Sequence, residues 1–396
     1  MTIKIGIVSP IDVNSIKKIR PLTIVKGKVA PRGLGATFLT SIVEELISRG
    51  HEVIIFTLDR GVEEEVILKG ENLKIYVHNY RETKRARNFF KNEIECLKEM
   101  IEKEKVDILH AHWTYEFAIA ALATKNEVLV TAHDSPFKVL RYMPNPYRFV
   151  RLLMAYYALM KTKKLTVVSK DTANHLKKYK FYSKKELYVI PNPVVIEEKL
   201  LKINSDALDK NEIIFASVLN GSGKLKNPIG LLKAYRELRI KYENVKLVMI
   251  GIDYEEFGPV HQWAKKNNAD VGVEFKGAVV REELLQYLNE NVDVLVHPSL
   301  EESFSLIVAE AMKLSIPIIG GKKSGAVPYT MGEGIAGLLI DMRNVNEISG
   351  AMEQLMDGYK RKLFGIQGCR FATENYDLIK VVDKYEQLYI DSMERD

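Results

Sequence analysis

Apolar runs of strand length alternate with helical periodicities along the whole chain. In the first half the runs are "IKIGIVS", "HEVIIFTL", "LKIYVH", "VDILHAH", "EVLVTAH", "KLTVVS" and "LYVIPNP". Between them lie stretches such as "GATFLTSIVEELISRG", where Phe38, Ile42, Val43, Leu46 and Ile47 mark one face and Gly50 supplies the stop. The pattern restarts in the second half with "EIIFASV", "VKLVMIG", "VEFKGAV", "VDVLVHPS", "IPIIGG" and "AGLLID". Strands alternating with helices predict parallel sheets covered by helices on both faces.

The break falls at "PNPVVIEEKLLKINSDALDKNE", where two prolines give way to polar and charged residues suited to a linker. The expected organisation is two doubly wound α/β domains, 1–195 and 196–370. A long amphipathic helix over 371–396, "FATENYDLIKVVDKYEQLYIDSM", would pack back on the N-terminal domain. Ligands of such sheets bind beyond the carboxyl ends of the strands, so a cleft between the domains is the expected site.

Composition changes this picture little. The 396 residues are 46% apolar and 28% charged, ordinary for a globular chain. Cys96 and Cys369 allow neither a disulfide framework nor a zinc cluster. No apolar run approaches the roughly 18 to 20 residues that cross a bilayer. "MTIKIGIVSP" reads as a strand rather than a signal peptide, so a cytoplasmic protein is expected. Charge is uneven. Residues 1–195 hold 33 Lys and Arg against 21 Asp and Glu, and the rest hold 25 against 31. The basic half has the balance to face an anionic partner.

Chemistry concentrates in "EESFSLIVAEAMKLSIPIIGG". Ser303 or Ser305 is placed to cap a helix running to about Leu314, whose free amides at Ser305, Leu306 and Ile307 would face an anion. Glu302 lies just before that helix, and Glu310 sits on it among apolar residues. A buried carboxylate requires a partner. That partner is either a ligand hydroxyl or a side chain such as a lysine. Gly33 and Gly35 in "PRGLGATF" open another helix and permit close backbone approach to a phosphate. The third glycine of a dinucleotide fingerprint is missing, which argues against a nicotinamide enzyme. His110 and His112 have strand spacing but no acidic or Cys companions, so a structural pair is favoured over a metal site. There is no Asp-x-Asp.

"HPSLEESFSLIVAEAMKLSIPII" closely resembles the signature of the retaining GT-B glycosyltransferases of family four. The resemblance runs on through "GLGATFLTSIVEELISRGHEVIIFT", "VDILHAHW", "VLVTAHDSP", "LTVVSKDTANHL", "VIPNPV", "FKGAV" and "AGLLID". It implies the GT-B fold, two Rossmann-like domains facing across a cleft. The N-terminal domain would take the acceptor and the C-terminal domain the nucleotide sugar. It implies that Glu302 contacts the donor sugar, Glu310 holds the ribose, and the amides of Ser305, Leu306 and Ile307 bind sugar and diphosphate. His133 in "VTAHD" matches the family's His near the reacting centre, Gly35 belongs to the glycine turn, and Lys226 matches the Lys that neutralises the diphosphate. The Arg that usually accompanies it is absent. Lys224 stands nearby but lacks the guanidinium fork. Two further departures are Ser305, where the family carries Gly, and Tyr329, where it carries Glu.

The implied reaction is retaining hexosyl transfer from a nucleotide diphosphate sugar to an acceptor hydroxyl. No cofactor or metal is expected, because lysines and helix amides would carry the leaving diphosphate. Domain closure would bring Gly35 and His133 to Lys226, Glu302 and Glu310. A nucleotide-sugar epimerase of the same shape and a non-catalytic carbohydrate-binding protein are the alternatives. The basic loop with Lys17, Lys18, Arg20, Lys26, Lys28 and Arg32, and the stretch "FKVLRYMPNPYRFVRLLMAYYALMKTKK", suit an anionic membrane surface and a glycan or lipid-linked acceptor. Cell-surface polysaccharide or lipopolysaccharide assembly is the implied setting, with no nucleic acid. The competing reading packs Leu152, Leu153, Tyr156 and Leu159 in the core.

Overall fold

The computed structural model describes residues 2–19, 21–178, 186–200 and 211–394. The central part of the expected linker and Arg20 lie outside them. Two units form: residues up to Pro193 together with Leu378 onward, and Val194–Asp377.

The first unit is built on nine strands: β1 Lys4–Val8, β2 Thr23–Lys26, β3 Glu52–Asp59, β4 Val66–Gly70, β5 Leu73–Asn79, β6 Ile108–His112, β7 Val128–Ala132, β8 Lys164–Val167 and β9 Glu186–Val189. Their order is β2-β4-β5-β3-β1-β6-β7-β8-β9. All neighbours from β5 to β9 pair in parallel. The expectation of wholly parallel sheets fails at one edge, where β4 runs antiparallel to both β2 and β5. β4 and β5 are joined by the two residues Glu71 and Asn72, and so short a connection permits only an antiparallel hairpin. Because β1, β3, β5 and β6 run side by side in parallel, the residues that follow them gather at one end of the sheet.

The second unit carries β10 Ile213–Val218, β11 Val245–Ile250, β12 Val273–Gly277, β13 Val294–Val296, β14 Ile318–Gly321 and β15 Gly337–Ile340. Their order is β12-β11-β10-β13-β14-β15, all in parallel. Phe215, Leu247, Met249, Val294 and Val296 meet Leu231, Tyr235 and Leu238 of the Pro228–Lys241 helix in one core.

The single helix expected over 371–396 is two. One ends at Asn375 in the second unit, and the next begins at Leu378 in the first. Tyr376 makes the break. Its carbonyl accepts from Val194 N at 2.8 Å, its hydroxyl reaches Thr330 O at 3.0 Å, and its ring packs edge-on against Phe304. The Leu378–Met393 helix then buries Val381, Val382, Tyr385 and Tyr389 with Ile5, Ile7, Val53 and Ile55.

Candidate active site

In the second unit the site grows from the carboxyl end of β13. His297 follows the strand, and the loop after it is tied to the loop after β10. Leu225 O accepts from Leu300 N at 2.8 Å and from the Ser299 hydroxyl at 3.4 Å. That pairing delivers the neighbouring Lys226 to Glu302, with Nζ 2.6 Å from Oε1. His297 Nε2 lies 3.4 Å from the same oxygen and 3.3 Å from the Ser305 hydroxyl. Burial would push the Glu302 carboxyl up, but His297 and Lys226 together outweigh it and hold it at about 2. Glu302 is therefore ionised at neutral pH. Its backbone is fixed too, since Ala326 N donates to Glu302 O at 2.8 Å. Gly325 permits that approach: a Cβ there would fall 2.3 Å from Glu302 O.

The Leu306–Lys313 helix starts immediately beyond. Ser305 precedes it in the left-handed region, at φ 70°, and its side chain makes no capping bond. The expected serine cap is absent, because the backbone conformation turns the hydroxyl toward His297 instead. Such a conformation costs a non-glycine residue on the order of 1 kcal/mol, which explains why glycine suits the position. The first turn of a helix leaves amides without intrahelical partners, and those of Ser305, Leu306 and Ile307 donate to no other described residue.

Glu310 lies further along the helix, with its side chain about one-tenth exposed. Its partner is a side chain, but an arginine rather than the lysine considered above. Arg281 Nε and one terminal nitrogen donate to Oε1 at 2.9 and 2.7 Å. The same terminal nitrogen also donates to Val195 O at 3.0 Å. Both side-chain bonds fall on one oxygen, and Oε2 engages no described residue. Burial pushes this carboxyl up despite Arg281. Lys224 is exposed and forms no ion pair with a described residue, so Lys226 alone of the two lysines joins the cluster.

In the first unit, Gly33 and Gly35 behave differently. A Cβ on Gly33 would lie 1.9 Å from Ile11 O, so that glycine serves the chain's own packing. Gly35, at φ 89°, is exposed with nothing within 4 Å of a Cβ, which leaves open space ahead of the Thr37–Ser48 helix. Asp59, the last residue of β3, anchors the turn: it accepts from the amides of Arg32, Gly33 and Gly61. His133 follows β7. Its Nε2 is 2.9 Å from His112 Nδ1, and its ring lies 4.3 Å from that of Trp113. Burial lowers His133 to about 3, and burial with His110 and His133 nearby lowers His112 well below the ordinary histidine value, so both are neutral. His133 Nδ1 and His112 Nε2 are buried without partners. His110 is structural, bonded to Tyr389 OH and Thr131 Oγ1, each at 2.7 Å. Among the described residues no three His, Cys, Asp or Glu side chains group as a metal site. Arg281, His297, Asp59 and the His112–His133 bond were missed in the sequence reading. Only the strand-end positions of Asp59 and His297 offered a signal.

Two family models match the chain: "Glycosyltransferase Family 4" over residues 35–198 and "Glycosyl transferases group 1" over residues 197–365. The N-acetyl-alpha-D-glucosaminyl L-malate synthase of Bacillus anthracis is 23% identical over 310 residues, covering 75% of this chain and 78% of that one. A UDP-Gal:alpha-D-GlcNAc-diphosphoundecaprenol alpha-1,3-galactosyltransferase of Escherichia coli is 25% identical over 319 residues, covering 74% and 78%. Among solved structures, sucrose-phosphate synthase from Thermosynechococcus elongatus superposes with a TM-score of 0.76 at 17% identity, over 99% of this chain and 100% of that one.

Proposed function

Because the chain belongs to the GT-B glycosyltransferases of group 1 and family four, we propose that it moves a hexosyl group from a nucleotide diphosphate sugar to an acceptor hydroxyl with retention. The observation that carries the reading is the cluster of Lys226, Glu302, His297 and Ser305 at the start of the Leu306–Lys313 helix. Charge builds on the diphosphate as the glycosidic bond breaks. Lys226, the amides of Ser305, Leu306 and Ile307, and the exposed Lys224 are the groups that would stabilise it. Glu302, ionised and held by Lys226, would accept from sugar hydroxyls. Glu310 Oε2, left over by Arg281, would accept from the ribose. Gly35 would leave room for the diphosphate, and the neutral His133 would hydrogen-bond an outer sugar hydroxyl. No metal enters this account: the cations are lysines, and the leaving phosphate takes the acceptor proton.

The setting we propose is cell-surface polysaccharide or lipopolysaccharide assembly at a membrane surface. Among the described residues no helix is long and apolar enough to cross a membrane. The Pro146–Lys161 helix nevertheless exposes Phe149, Leu153, Tyr157 and Met160 at helical spacing. Arg141, Lys161 and Lys163 are exposed beside them. Leu159 packs inward with Met154, Ala155 and Ala158, but Leu153 is exposed and Leu152 and Tyr156 are only half-buried. The core-packing alternative thus accounts for part of this helix. Apolar residues flanked by cations suit an anionic lipid surface. The galactosyltransferase relative, whose name gives a UDP sugar and a lipid diphosphate acceptor, supports both the donor class and this setting.

Release of nucleoside diphosphate from a panel of nucleotide sugars, with and without acceptors, tests the reaction. Acceptor-dependent release with a product that keeps the donor's anomeric configuration is expected. Donor consumed without acceptor would identify an epimerase instead, and binding without turnover a carbohydrate-binding protein.

A further inference from the structure

Two adjoining cavities, of about 200 and 570 Å3, open at the carboxyl end of the first sheet. The smaller is walled by Pro10 after β1, Arg60 after β3, Tyr80 after β5 and Trp113 after β6, so four neighbouring strands deliver it. Leu34 and Arg60 line both cavities, and Arg32 lines the larger. Trp113 sits in the left-handed region at φ 65°, where a bulky residue is rare, and its amide donates to Thr131 O at 2.9 Å. Its indole lines the cavity and packs against the His133 ring.

The charges of the walls divide into committed and uncommitted groups. Asp59 accepts from three amides. Glu116 pairs with Arg151 and takes the Tyr80 hydroxyl at 3.3 Å, and Arg151 lies over the Tyr115 ring at 3.6 Å. The guanidinium groups of Arg32 and Arg60 bond to no described residue. Each presents five N–H donors in a fork that matches an oxyanion. Arg32 and Arg60 are exposed and every carboxylate in the walls is already engaged, so these two guanidinium groups are available to an anion supplied from outside.

We propose that these cavities bind the acceptor, and that the acceptor carries a phosphoryl group, held by Arg60 and Arg32, beside a sugar ring seated against Trp113. This deepens the glycosyltransferase reading and rests on it for the word acceptor. The phosphoryl group belongs either to a soluble sugar phosphate or to a lipid-linked one.

Binding to the full chain separates the sources without turnover. In one arm, glucose 6-phosphate is titrated against glucose. In the other, phosphatidylcholine vesicles carry either a polyprenyl-phosphate glucose or a neutral glucosyl lipid. The phosphorylated ligand is expected to bind about tenfold or more tightly than its neutral counterpart in at least one arm, the usual gain from a charge-assisted pair. Arg32→Gln/Arg60→Gln should abolish that preference while leaving UDP affinity within about twofold. No phosphate preference in either arm, or a preference that survives the double substitution, overturns the proposal. Donor-dependent release of nucleoside diphosphate is read separately, so a failed glycosyltransferase reading and a failed phosphoryl site give different results.

Discussion

Arg281 places two hydrogen bonds on Glu310 Oε1 and leaves Oε2 uncommitted, so the ion pair orients the carboxylate without exhausting it. A ribose hydroxyl would then meet a carboxylate oxygen already aimed by Arg281. Glu310→Gln should weaken nucleotide-sugar binding by about 1 to 3 kcal/mol, the worth of a charge-assisted bond. Arg281→Ala should make binding depend on pH. Burial already pushes Glu310 up, and losing Arg281 pushes it further, so affinity should rise as pH rises and the carboxylate forms. Donor affinity that ignores both substitutions would remove Glu310 from the site.

Glu302 links the second unit's stability to acid. Its folded value, about 2, lies below the ordinary glutamate value of about 4.3. The stabilisation is therefore complete above the higher value and disappears as pH falls through the lower one, on the order of 3 kcal/mol. Glu302→Gln should remove that dependence between about pH 4.3 and 2. Urea midpoints measured across the window decide it.

The first unit should respond at milder pH and for the opposite reason. Burial holds His110 and His133 at about 3 and His112 well below its ordinary value, all neutral in the fold. The unfolded chain binds these protons from about pH 6.5 downward, so stability should fall as pH drops below that value. The slope is up to about 1.4 kcal/mol per pH unit for each histidine. Intrinsic fluorescence of a Trp263→Phe variant, in which Trp113 is the remaining tryptophan, in urea titrations at pH 7 and pH 5 reads this unit. An unchanged midpoint would mean that the histidines accept protons without unfolding.

If Lys226 and the amides of Ser305, Leu306 and Ile307 carry the diphosphate charge as proposed, no divalent ion is required. Turnover should persist in EDTA. Loss of activity that magnesium restores would show that the charge is carried elsewhere.

The membrane reading has its own test. Co-sedimentation with anionic vesicles should occur at low salt and decline as salt rises, because exposed charges are screened beyond about 10 Å at 0.1 M. Phe149→Ser/Leu153→Ser/Tyr157→Ser should reduce it several-fold at constant salt. Protein left in the supernatant with anionic vesicles at low salt would favour a soluble acceptor.

What the sequence made legible follows from range. The parallel strands and the Thr37–Ser48 helix show because their periodicity is local. β2 escaped notice because Thr23–Lys26 is exposed throughout and carries no buried face. The break at Tyr376 was hidden because an aromatic residue continues a helical pattern, and only partners far away in sequence, Val194 and Phe304, show that it ends one. Arg281 stands 29 residues before Glu310, and nothing in spacing selects it from the chain's other cations. Ser305 was visible as a departure from glycine, but its φ of 70° was not.

The return of Leu378–Met393 to the first unit has a consequence for biosynthesis. Val381, Val382, Tyr385 and Tyr389 fill a core whose other members, such as Ile5 and Ile55, leave the ribosome more than three hundred residues earlier. Those earlier strands must wait with part of their apolar face uncovered, the Thr37–Ser48 helix shielding the rest, whereas Val194–Asp377 has its whole core in one continuous run. The second unit is therefore free to finish folding first, despite being synthesised later. A nascent chain stalled before Leu378 would expose an unfinished surface around His110, Ile5 and Ile55 for chaperones or proteases to read.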